Sequence, residues 1–148
     1  MDKVKELHLR VLMREKINKT NKLAADLIMD KARHVQFSDF VNSGYKGAYE
    51  MNENGIWEHK GLGKNKAILD FMDYDELLLN WIKTDRAVAK MSWFSSLRGN
   101  DFCDIHLEEG YKVRQKTFED YGIYPEQFAT PSKSIVQVKS VLREFGID

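Results

Sequence analysis

Between Phe37 and Lys66, aromatic side chains alternate with cationic ones. Phe37, Phe40, Tyr45, Tyr49 and Trp57 interleave with Lys46, His59, Lys60, Lys64 and Lys66. Ring faces stack on unpaired bases, and ammonium groups neutralise phosphates. Gly61 and Gly63 beside Lys64 would let the backbone approach an anion closely, although Gly-Leu-Gly-Lys lacks the spacing of a phosphate-binding P-loop. A basic stripe adds to this pattern: Lys83, Arg86 and Lys90 fall at i, i+3 and i+7, on one face of a helix that could follow a nucleic-acid backbone. Both patterns also have a plainer meaning, in which aromatics pack inside and lysines are solvated. The expected nucleic-acid or partner-binding residues are therefore Tyr45, Lys46, Tyr49, Trp57, Lys60, Lys64, Lys83, Arg86 and Lys90.

A second chemistry is acidic. Asp70, Asp73 and Glu76 are spaced by three, as are Asp101 and Asp104. Carboxylates at that spacing on two facing helices can hold Mg²⁺, which takes oxygen ligands and substrate phosphates. Asp70, Asp73, Asp101 and Asp104 are the metal ligands of that alternative, a Mg-dependent phosphohydrolase. Helix N-termini attract the same residues by their dipole, which is the simpler account. Cys103-x-x-His106, with Glu109 nearby, has the types for a metal or an activated thiolate, but no second Cys/His pair matches it. No glycine-framed serine and no paired-histidine motif is present.

The composition narrows the function classes. The chain has 148 residues, 43% hydrophobic and 11% aromatic, enough for one domain with a real core. Lys plus Arg and Asp plus Glu are equal at 23 each, so bulk attraction to nucleic acid or an anionic membrane is not expected. The charge is nonetheless separated: residues 1–36 hold nine Lys or Arg against five Asp or Glu. A single cysteine excludes a disulfide scaffold and a Cys-rich zinc finger. The charged start of the chain lacks the apolar core of a signal peptide, and no apolar run reaches membrane-spanning length. The expected compartment is the cytoplasm, or a host's cytoplasm for a phage-encoded protein.

These residues need elements to position them. Residues 2–17 alternate in a way that suits a strand, but Val4, Leu7 and Val11 share a helical face and the propensities favour helix. Residues 18–21 read as a break, and 21–33 as a helix with Leu23, Ala24, Leu27, Ile28 and Ala32 on one face. Asn54-Gly55 predicts a type I′ hairpin joining residues 48–51 to 56–58. A long helix is expected from Asp73, with Glu76 in a capping box, to about Leu97 before Gly99. Its buried face would hold Tyr74, Leu77, Leu78, Trp81, Ile82, Val88, Ala89 and Trp93. The next helix would run from Asp101 to Tyr121, weakened at Gly110 and closed by Gly122. The last would start from a Thr130 cap with Pro131 at N1 and end at Gly146. Its apolar residues spread widely around the helix, which fits deep burial or docking on a partner.

The expected fold is thus mainly α: one domain over residues 1–148, a compact bundle of four to five helices with one small β-hairpin at about residues 48–58. The expected function is a non-enzymatic binding or regulatory protein that needs no cofactor. Its partner would be a protein or a nucleic acid rather than a membrane, with a nucleic-acid-associated role favoured. Besides the phosphohydrolase, the alternative is a structural, assembly or accessory protein of a phage or mobile element.

Overall fold

A computed structural model describes residues 2–32, 34–63, 66–94 and 100–147. Among these residues there are six α-helices and no strand: α1 Lys3–Lys31, α2 Phe37–Tyr49, α3 Glu53–His59, α4 Tyr74–Trp93, α5 Asp101–Tyr121 and α6 Ile135–Glu144. Short 3₁₀ turns at Ile68–Phe71 and Pro125–Gln127 link them.

Helix α1 settles the strand-or-helix question at residues 2–17 and removes the expected break at 18–21. Asp2 caps it, accepting from the Val4 N–H at 2.9 Å. The polar residues that looked like a break are used inside the helix instead. Asn18 accepts from the Arg14 guanidinium. The Thr20 hydroxyl donates back to the Lys16 carbonyl at 3.1 Å and accepts from the Trp81 indole at 3.1 Å. Such back-bonding lets Thr remain in a helix interior.

The expected β-hairpin is absent. Residues 48 and 49 close α2, Glu50 turns the chain at φ 58°, and Asn54-Gly55 lies in the first turn of α3. Two forces win over the Asn-Gly turn, one local and one tertiary. Asn52 caps α3 by accepting from the Gly55 N–H at 2.8 Å. Gly44, Gly47, Ala48 and Tyr49 recur at helical spacing and are buried, with Gly44, Gly47 and Ala48 set against α5. A Cβ on Gly110 would lie 2.8 Å from the Ala48 nitrogen, and one on Gly47 would overlap the Leu107 carbonyl. Gly110 therefore does not kink α5, which is continuous from Asp101 to Tyr121; it lets the two backbones meet.

Other boundaries shift by a few residues. α4 ends at Trp93 rather than about Leu97; Leu97 and Gly99 lie outside the described residues. α5 keeps its expected bounds, Asp101–Tyr121, with Asn100 at the cap position and Gly122 ending the helix in the left-handed region. α6 starts later than Thr130-Pro131. Ser134 and Gln137 form a reciprocal capping box: the Ser134 N–H donates to Gln137 at 2.8 Å and the Gln137 N–H to Ser134 at 3.3 Å. Only Ile135, Val138 and Leu142 of α6 are buried, against Val11 of α1.

Contacts along the chain give the helix directions. Arg10 meets Met72, Thr20 meets Trp81 and Lys31 meets Met91, so α1 and α4 run parallel. Phe40 meets His106 and Ala48 meets Arg114, so α2 and α5 are parallel too. Thr84 meets His106 while Tyr121 meets Asp75, so α4 and α5 are antiparallel. One buried arginine ties remote segments together. The Arg10 guanidinium donates to the carbonyls of Met72 (2.7 Å), Asp70 (2.9 Å) and Lys133 (2.7 Å). No helix among the described residues is long and apolar enough to cross a membrane.

Candidate nucleic-acid interface

Helix α4 is wrapped on two sides, and each side carries a different chemistry. Its most buried residues are Glu76, Leu77, Leu79, Asn80, Lys83, Thr84, Ala87 and Met91. The helix is therefore rotated from the expected apolar face, and Trp93, expected inside, is 76% exposed.

The inner side is a chain of hydrogen bonds. Glu76 sits where a capping box was expected but turns inward: its two oxygens accept from the Lys60 ammonium at 2.8 Å and the Tyr49 hydroxyl at 2.6 Å. Burial raises the Glu76 pKa, and the Lys60 charge works against that rise. Asn80 donates to the Tyr49 oxygen at 3.0 Å and accepts from the Lys83 ammonium at 3.0 Å. The Lys83 ammonium also lies over the Tyr45 ring, 4.2 Å from its centroid. One residue on, the Thr84 hydroxyl meets His106 Nε2 at 3.1 Å, and His106 Nδ1 lies 2.7 Å from the Phe40 carbonyl. A carbonyl only accepts, so Nδ1 carries the proton and Nε2 accepts from Thr84. Desolvation and the nearby Lys83 charge hold the His106 pKa well below its ordinary value. Both ring nitrogens are engaged away from Cys103, whose thiol is raised by burial, so the structure does not assemble the activated-thiolate pair.

The outer side is basic and aromatic. Arg86, Lys90 and Trp93 recur at i, i+4 and i+7 along one edge of a groove of about 390 Å³ between α4 and α5. Trp81 lines the same groove, and the Lys16 ammonium lies 4.3 Å from its ring centroid. The groove is not uniformly positive. Asp85 lines it, and Glu109 reaches Lys90 at 3.0 Å and Lys112 at 3.6 Å.

With that geometry established, the relationship to known proteins is direct. The pattern of the DinD C-terminal domain matches residues 4–138. The chain belongs to the DinD C-terminal domain family. A similar protein is DNA damage-inducible protein D of Escherichia coli (strain K12), 30% identical over 137 residues that cover 90% of this chain. The chain spans about half the length of that relative, 50% of it. No solved structure matches.

In this DinD C-terminal domain the nine expected surface residues do not form one face. Tyr45 and Tyr49 are buried edge-to-face, with centroids 5.9 Å apart. Lys60 is consumed by Glu76, and Lys83 is inside. Lys46 is exposed on α2, Trp57 is half-buried on α3, and Lys64 lies outside the described residues. Arg86 and Lys90 alone of the nine come together with an exposed aromatic, Trp93, which the sequence pattern had assigned to the core. The four aspartates separate. Asp70 pairs with Arg14 at 2.9 Å, and Asp73 occupies the N-cap position of α4 without a side-chain cap hydrogen bond. Asp101 and Asp104 lie at the start of antiparallel α5, the opposite end of the bundle. Among the described residues no three His, Cys, Asp or Glu side chains are placed to hold a metal ion.

Proposed function

We propose that this chain is a non-enzymatic binding module that associates with nucleic acid, in a regulatory role within a DNA-damage response, and that a single strand lies along the α4–α5 groove. The observation that carries the reading is the grouping of exposed Trp93 with Arg86 and Lys90 along one edge. An exposed indole stacks on any base, and two cations at one and two turns' distance can meet successive phosphates. The name of the similar protein, DNA damage-inducible protein D, supports the same direction. Asp85 and Glu109 limit the positive field, which fits a specific, moderate contact rather than bulk attraction.

A salt titration of oligonucleotide binding tests the proposal. Single-stranded DNA should bind with a logarithmic salt slope of about −0.7 per phosphate neutralised, and Arg86→Ala should reduce that slope by about one contact. Trp93→Ala should weaken binding by about 1–3 kcal/mol through lost stacking. Absence of binding at low salt would remove the reading, and so would binding that ignores both substitutions.

A further inference from the structure

On the other side of α4 a cavity of about 150 Å³ opens over Lys83, sharing no lining residue with the α4–α5 groove. Lys83 is only 3% exposed, yet no carboxylate among the described residues lies within ion-pairing distance of it. Its partners are the Asn80 amide oxygen at 3.0 Å and the face of Tyr45. An ammonium has three donors, and one partner oxygen and one ring leave it short of both hydrogen bonds and charge. Burying a cation in this way costs several kcal/mol unless a counter-ion restores the balance. We propose that the cavity over Lys83 is a binding site for a small free oxyanion, a carboxylate or phosphate group of one or a few carbon-sized units.

The walls favour that occupant. Ile17, Val41 and Ile68 make part of the lining apolar, so competition from water is reduced where the anion meets Lys83. Asn21 and Thr84 add uncharged polar groups to the lining. The volume of about 150 Å³ admits acetate or phosphate, and extends to something of the size of benzene. The titratable groups around Lys83 come from five helices. Arg14 of α1 is held by Asp70, and Tyr45 of α2 has its pKa raised by burial. Glu53 of α3 also lines the cavity, Glu76 of α4 is paired with Lys60, and His106 of α5 is held neutral. Of these only Glu53 brings an uncompensated negative charge, which disfavours a multiply charged ligand and favours a singly charged one. The Lys83 pKa, lowered to about 7 by desolvation, gives the site a signature that surface lysines lack.

The test uses the full chain with acetate, formate and inorganic phosphate as probes, against sodium chloride at matched ionic strength. Acetate and formate keep one charge across the range, so any pH dependence belongs to the protein. The thermal midpoint should rise by several degrees with probe at about pH 6, where Lys83 is protonated, and the rise should vanish by about pH 9. Lys83→Met keeps an unbranched side chain one heavy atom shorter and removes the charge; its midpoint should not respond to any probe. A response to phosphate alone would assign the site to phosphate, and a response to all three to oxyanions in general; either supports the proposal. No response in the wild-type protein at about pH 6, a response that persists unchanged at about pH 9, or an equal response in Lys83→Met would each overturn it, and the first two do not depend on any variant folding.

Discussion

His106 and Lys83 are two bases that the fold keeps poor in protons, and stability should record both. His106 titrates near 6.5 when unfolded and well below that when folded. As pH falls through about 6.5 the unfolded chain takes up a proton that the folded one refuses, so stability declines by up to about 1.4 kcal/mol per pH unit. Lys83 acts in the same sense higher up. Unfolded it holds its proton to about pH 10.4, whereas folded it releases it at about 7. Between those values the unfolded state binds more protons, so stability climbs with rising pH. The buried tyrosines Tyr45 and Tyr49, with raised pKa values, reverse the trend only above about pH 10. Urea unfolding at a series of pH values should therefore show Lys83→Met gaining most over wild type near pH 7 and progressively less toward pH 9.5, the difference shrinking at about 1.4 kcal/mol per unit. A difference independent of pH would mean that Lys83 keeps an ordinary pKa in the folded state.

At the scale of elements, the crossing of α2 and α5 depends on glycine. Gly110→Ala places a methyl 2.8 Å from the Ala48 nitrogen, against backbone that cannot rotate away. Helix propensity alone would favour alanine by about 1 kcal/mol, so the two effects oppose each other. Overpacking against rigid backbone costs about 1–3 kcal/mol, and the clash should win. The urea midpoint should fall with the slope unchanged; a rise would show that the helices can separate freely. The same crossing shows what the sequence hid. The helical pattern of residues 74–93 and 101–121 was legible, because long amphipathic stretches bounded by Asn, Asp and Gly leave strong periodic signals. The run Gly44–Tyr49 was not, because glycine reads locally as a breaker and only a partner backbone turns it into a contact. The site was partly legible for a similar reason. Arg86 and Lys90 follow from spacing alone, whereas Trp93 was given to the core and Lys83 to solvent. Helix α4 carries apolar residues such as Trp81, Val88 and Trp93 outside its most buried stripe, so its exact rotation depends on neighbours that no single-helix pattern contains.

At the scale of the whole molecule, α1 with α4 and α2 with α5 are parallel pairs, so most packing joins segments far apart in sequence. The core follows this plan, with one apolar cluster reaching from Met13 to Val113 and another from Ala24 to Phe102. The docking of α6 rests on Ile135, Val138 and Leu142 together with the Arg10 bond to Lys133. Arg10 spans 60, 62 and 123 residues with one side chain. That single clasp has a kinetic consequence. Contacts of such separation close after the helices have formed and met, because their loop-closure entropy is only repaid late. Arg10→Met should therefore leave the refolding limb of the chevron nearly unmoved and steepen the loss along the other limb, multiplying the unfolding rate by tenfold or more for about 1.4 kcal/mol lost. Stopped-flow mixing would read both limbs, and a slowed refolding limb would place the clasp in the nucleus instead. If it closes last, it also opens first: the guanidinium of Arg10 works as a latch on lifetime, setting how long the native bundle persists rather than how readily it forms.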